Sequence, residues 1–153
     1  MASLLGEAKT LLLATDGSPL SRKATKAALR LARDFGATLH VITVQPPFTI
    51  QFEGEVAIPS MYDRKEYETA AKEAAVKILD EVAAQAAAMD VHCKTVFRLD
   101  ASPAEAIVEM AKRRRADLIV MAMHRRRMFT SMLLGSETHN VLASCSIPVL
   151  VHR

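Results

Sequence analysis

The residues of this 153-residue chain best able to do chemistry fall in two places. One is Asp16, in the run Thr15-Asp16-Gly17-Ser18-Pro19. The other is the stretch 123–136, where Arg125, Arg126 and Arg127 precede Gly135-Ser136. A carboxylate at the first place could accept from an amino group or a sugar hydroxyl, or it could close an Asx-turn over the Asp16-Gly17 bend. Gly-Ser at a helix start offers backbone N–H groups at the positive end of a helix dipole, which suits a phosphate. Glycine there lets backbone approach closely, and the Ser136 hydroxyl either meets a phosphate oxygen or serves as a plain cap. The chemistry indicated is the holding of an anion, with no bond made or broken.

Catalytic patterns are missing. There is no GxxxxGK(S/T), no GxGxxG, no GxSxG and no HExxH. His40, His92, His124, His139 and His152 form no pair at i, i+4, and only His124 falls in a candidate loop. Cys93 and Cys145 lack any metal-ligand spacing and are expected to be buried free thiols in a reducing compartment. No nucleophile and base stand together near Ser136, so the protein is expected not to be an enzyme. Asp16 is the one evident residue that could help hold a magnesium ion, and only beside the phosphates of a bound anion.

Composition sets the frame: 50% apolar and 24% charged residues are globular proportions. The net charge of +3 is mildly basic, and two arginine triplets, 113–115 and 125–127, carry much of it. That fits a local anion site or a docking point for an acidic protein partner, unless the triplets are only a solvated basic face. With no tryptophan and 5% aromatic residues there is no stacking platform, so a nucleic-acid partner is not expected. No segment approaches the ~18 consecutive apolar residues of a membrane helix, and the start "MASLLGEAK" lacks the pattern of a secretory signal. A soluble, cytoplasmic protein is expected.

The elements that must position these residues alternate. "KTLLLAT" (9–15) reads as a strand buried on both faces. Ser18 and Pro19 start a helix whose inner face would hold Leu20, Ala24, Ala27, Ala28, Leu31 and Phe35, with Gly36 closing it. "TLHVITV" (38–44) is a second strand. Residues 46–60 carry three prolines and no helical period, and read as a long loop or flap. Ser60 to Asp63 would cap a helix reaching about Met89, with Ala71, Ala74, Ala75, Ile78, Val82 and Ala86 inward. "VHCKTVFRL" (91–99) alternates like an edge strand. Ser102-Pro103-Ala104-Glu105 is a capping box opening a helix to about Arg115. "ADLIVMAM" is the fourth strand, Ser136 starts the last helix, and "SIPVLVHR" (146–153) is the fifth strand. Met121, Met123, Met128 and Met132 cluster around the arginine loop, where some are simply core and the others could line a ligand pocket or a partner surface. The prediction is one α/β domain over residues 1–153, a five-stranded parallel sheet with helices on both faces. Ligands of such sheets sit beyond the carboxyl ends of the strands, where strand order reverses.

The succession "LLLATDGSPLSRKATKAALRLA", "LHVITVQPP", "SPAEAIVEMA", "ADLIVMAMH" and "MLLGSETHNVLASCSIPVLVHR" resembles the universal stress protein family over nearly the whole chain. The resemblance implies strand order 3-2-1-4-5, homodimers formed through the last strand (residues 147–152), and binding of ATP or another adenine nucleotide. It implies site roles for Asp16, for the Val44 backbone against adenine, and for Gly135 and Ser136. The family's Gly-x2-Gly-x9-Gly-Ser/Thr pattern is altered, because its first two glycines correspond to Ala122 and Arg125. The glycine of its Gly-x-Pro is replaced by Ala101. Ala122 adds one methyl, whereas Arg125 either bonds phosphates through its guanidinium or remodels the loop. Under remodelling the protein would be a nucleotide-independent dimeric interaction module, with Arg125–Arg127 meeting an acidic partner. A pyrophosphatase-type SGGxDS loop after the first strand is lacking, which argues against an α-hydrolase-like enzyme.

Overall fold

The computed structural model describes residues 7–49, 52–53, 56–57, 63–123 and 136–153. Along the chain these form β1 (Thr10–Ala14), α1 (Pro19–Phe35), β2 (Thr38–Gln45), β3 (Phe52–Glu53), β4 (Val56–Ala57), α2 (Arg64–Ala88), β5 (Cys93–Leu99), α3 (Pro103–Arg114), β6 (Leu118–Ala122), α4 (Ser136–Ser144) and β7 (Val149–His152).

The three leucines of β1 explain the layering. Leu11, Leu12 and Leu13 are all fully buried, and successive strand residues face opposite ways. Leu11 and Leu13 enter one core with Leu39, Val41, Val120 and the inner faces of α1 and α2. Leu12 enters the other with Ile42, Ile119, Met121 and residues of α3 and α4. Each such leucine is worth about 1.5–3 kcal/mol over exposure, so the strand that fills both cores is the central one. The sheet order is β5-β2-β1-β6-β7 with every pairing parallel, the predicted 3-2-1-4-5.

The caps behave largely as their residue types predict. Ser18 Oγ accepts from Ser21 N–H with Pro19 at the first turn, and Gly36 ends α1 at φ +60°. Ser102 Oγ accepts from Glu105 N–H at 3.4 Å and starts α3. Four expectations need correction. The inner face of α1 is rotated: Ser21, Thr25, Leu29 and Ala32 are buried with Ala24 and Ala28, while Leu20, Ala27, Leu31 and Phe35 are only half-buried. On α2, Leu79 is buried and Ala74 exposed, while the cap falls at Asp63, the last residue of the expected capping run, whose Oδ1 accepts from Glu66 N–H at 2.7 Å. Residues 46–60 are not all loop, since β3 and β4 pair antiparallel, Phe52 with Ala57 and Glu53 with Val56. Pairs this short leave no alternation in sequence to recognise. The cysteines are free, as expected, but only half-buried. Burial pushes the Cys93 thiol pKa up. Met121 and Met123 are core residues, and Met128 and Met132 lie outside the described ones.

Candidate functional site

The ladder between β1 and β2 runs to Ala14↔Ile42, and that between β1 and β6 runs to Leu13↔Val120. Beyond those pairs the chain of β1 turns away, while β2 continues beside β5 to Gln45↔Leu99 and β6 continues beside β7 to Ala122↔His152. A crevice therefore opens over the end of β1, where the order of strands reverses. It holds a cavity of about 160 Å³ lined by Ala14, Thr15, Asp16, Ser21, Ile42, Val44, Pro103, Ile107, Met121, Ala122 and Glu137.

The floor is built by hydroxyls that sequence reasoning passed over. Thr15 Oγ1 and Ser21 Oγ are 2.7 Å apart; the first accepts from Gly17 N–H at 3.2 Å and the second from Asp16 N–H at 3.3 Å. Thr43 Oγ1 donates to Thr15 O at 2.9 Å. Thr15, Ser21 and Thr43 are buried, and among the described residues every buried side-chain N or O atom has a partner. The signal available was the placement of Ser21 and Thr25 where an inward helix face should be apolar.

Of the sequence-derived site residues, Asp16, Val44 and Ala122 meet around this cavity. Asp16 Oδ1 accepts from Ser18 N–H at 3.0 Å, so the Asx-turn is present. A carboxylate has about four acceptor sites, and that bond is compatible with a ligand at the same group. Ile42 O accepts from Thr15 N–H on the β1 side. Val44, two residues on, presents its backbone to that same side, past the end of β1. Ala122 is half-buried between the cavity and the α1/α2 core. Ser136 is the first residue of α4 and exposed, and it is not among the lining residues, whereas its neighbour Glu137 is. Arg125, Gly135, the rest of the arginine loop and His124 lie outside the described residues.

The first arginine triplet lies away from the cavity. Arg113 and Arg114 end α3 and Arg115 follows it, ahead of β6, whereas the cavity lies past the far end of that strand. Five strand residues separate them, roughly 16 Å of chain. Arg113 instead bonds Glu109 at 2.8 Å, and Arg98 bonds the other oxygen of the same carboxylate at 3.1 Å. Among the described residues no group of three or more His, Cys, Asp or Glu is arranged to hold a metal, and no helix is long and apolar enough to cross a membrane.

The family model for the universal stress proteins matches residues 7–153. This chain belongs to that family. A universal stress protein of Thermus aquaticus is 33% identical over 146 residues, covering 95% of this chain and 98% of its own. Universal stress protein MJ0531 of Methanocaldococcus jannaschii is 32% identical, covering 94% of this chain and 81% of its own. Solved universal stress proteins share the fold at lower identity. One from Burkholderia pseudomallei superposes with a TM-score of 0.73 at 24% identity, over 99% of this chain and 98% of that one. Another, in complex with cAMP, gives 0.69 at 24% identity over 95% and 96%. More distant members of the fold hold dAMP (from Archaeoglobus fulgidus, TM-score 0.63) and AMP (from Arabidopsis thaliana, 0.64).

Proposed function

We propose that this universal stress protein is a dimeric, cytoplasmic regulatory module that binds an adenine nucleotide in the cavity over the end of β1, and that it is not an enzyme. The observation carrying this reading is the meeting of Asp16, Val44 and Ala122 around one cavity at the reversal of strand order. Ligands of structural neighbours, cAMP, dAMP and AMP, agree with it in class.

The chemistry of the walls fits a purine. Ile42, Val44, Ile107 and Met121 offer apolar surface to the faces of a flat ring. The Val44 backbone offers hydrogen bonds to its edge, and Asp16 accepts from an amino group or a ribose hydroxyl. At about 160 Å³ the cavity suits a base better than a whole nucleotide, since drug-sized ligand pockets begin near 300 Å³. The phosphates then belong outside it, toward Gly135-Ser136, with the Arg125 guanidinium replacing a glycine's bare backbone. Magnesium would be held only through those phosphates and Asp16. Pairing of two copies through β7 completes the reading.

Calorimetry with ATP, ADP, AMP and cyclic AMP tests it, together with mass spectrometry of small molecules released from the purified protein. Heat with at least one ligand is expected, weakened at least about tenfold in Ala122→Leu, whose larger side chain intrudes on the lining. Silence with all four would remove the nucleotide and leave a module that meets an acidic partner through Arg125–Arg127.

A further inference from the structure

Two carboxylates line the cavity, those of Asp16 and Glu137, and no lysine, arginine or histidine is among the lining residues described. Glu137 is committed in an unexpected direction. From the first turn of α4 its Oε2 reaches across to α3 and accepts from Ala104 N–H at 3.0 Å, 33 residues earlier in the chain.

That bond closes an opening. A helix start has N–H groups with no partner inside the helix, and an anion commonly takes them. At α3 none is left for one. Pro103 has no N–H, Ala104 donates to Glu137, Glu105 donates to Ser102 Oγ at 3.4 Å, and Ala106 donates to Ser102 O at 3.1 Å. A protein carboxylate thus occupies the place an anion could take at that helix start. Any phosphate turned toward α3 meets a negative charge held in place by that bond; the Glu137 side chain is exposed, so salt screens the repulsion.

We propose that Glu137 sets the charge selectivity of this cavity, turning it toward adenine ligands that carry little negative charge, the nucleoside or a cyclic monophosphate, and against the triphosphate. This rests on the adenine reading above and deepens it. Glu137 is a specificity residue, since it bars one class of ligand while helping to hold α3 and α4 together.

The experiment is calorimetry at low salt with adenosine, cyclic AMP, AMP and ATP on the wild-type protein and on Glu137→Gln, which keeps an oxygen able to accept from Ala104. Wild type should prefer adenosine or cyclic AMP to ATP. The variant should leave adenosine within about twofold and tighten ATP at least about tenfold, a gain that shrinks as salt is added. A change equal for all ligands, or none, overturns the proposal. A second measurement is independent of adenine: inorganic pyrophosphate titrated into Glu137→Ala while the Ala104 amide is followed by NMR. The amide should shift in the variant and stay still in wild type. An amide that ignores pyrophosphate in both proteins overturns the closed helix start even if adenosine binds. Silence with all four adenine ligands beside a responsive amide overturns the adenine reading, and the selectivity with it, and leaves only the closed helix start.

Discussion

Ser21 faces the interior from α1, where an unbonded hydroxyl would cost about 1–3 kcal/mol, and it is tolerated because the turn after β1 uses it twice, through Thr15 Oγ1 and Asp16 N–H. The helix face and the turn are thereby one unit, and the cavity floor is fixed before any ligand arrives. His40 shows the opposite economy at the other end of the sheet. Partial burial, with the positive charges of Arg114, Lys94 and His92 nearby, holds its imidazole pKa below the ordinary 6.5. The unfolded chain takes up this proton near pH 6.5 and the folded chain only at lower pH. Between those two values the unfolded state binds more protons, so stability falls as pH drops below about 6.5. His40→Gln should flatten that fall in thermal melting midpoints followed from about pH 7 to about pH 5. An unchanged slope would assign the acid sensitivity to other groups. At this scale the sequence was only partly legible. Asp16 is conspicuous because a charged residue ends an apolar strand. Glu137 is not, because its partner Ala104 lies 33 residues away and becomes a neighbour only after α3 and α4 pack together.

The turn between β1 and α1 depends on what α2 does. Gly17 has φ +75°, and a Cβ built there would approach Ile78 Cγ1 to 2.7 Å and Cδ1 to 2.9 Å. An alanine must both adopt a left-handed backbone and displace a packed isoleucine. Gly17→Ala is therefore expected to lower the unfolding free energy by roughly 1–3 kcal/mol, read from the urea midpoint. A loss under about 0.5 kcal/mol would mean that Ile78 repacks freely and α2 does not brace the turn. Similar bracing anchors the chain after β2, where the Tyr67 hydroxyl donates to Pro46 O at 2.8 Å and the Phe48 and Tyr67 rings lie 5.7 Å apart. Elements with strong local chemistry could be read directly: Ser18-Pro19, Gly36 and Ser102-Pro103 each mark an end correctly. The buried stripes were read less well. Leu79 won over Ala74, and Thr25 and Leu29 over Ala27 and Leu31, because two helices share one sheet face and the direction from which each docks is not written in its own period.

Taken whole, the molecule divides its chemistry between the two ends of one sheet, with the cavity at the carboxyl end and Arg113–Arg115 toward the other. Among the described residues its flanks are β5 and β7, each hydrogen-bonded to one neighbour. Leu150 in β7 is 40% exposed, and an unpaired strand flank with an apolar side chain invites a second copy. Light scattering should report a dimer for the native chain and a monomer for Leu150→Lys. A variant that remains dimeric would move the contact elsewhere. The order of the strands also governs how the chain can be made. β1 leaves the ribosome well before β6, yet Leu11 pairs on one side with Leu39 and on the other with Leu118. Until β6 has left the ribosome, three adjacent leucines lack the strand that covers one side of them, and contacts so distant along a chain form slowly. The most protected strand of the finished protein is thus the most exposed to misassociation in the nascent one.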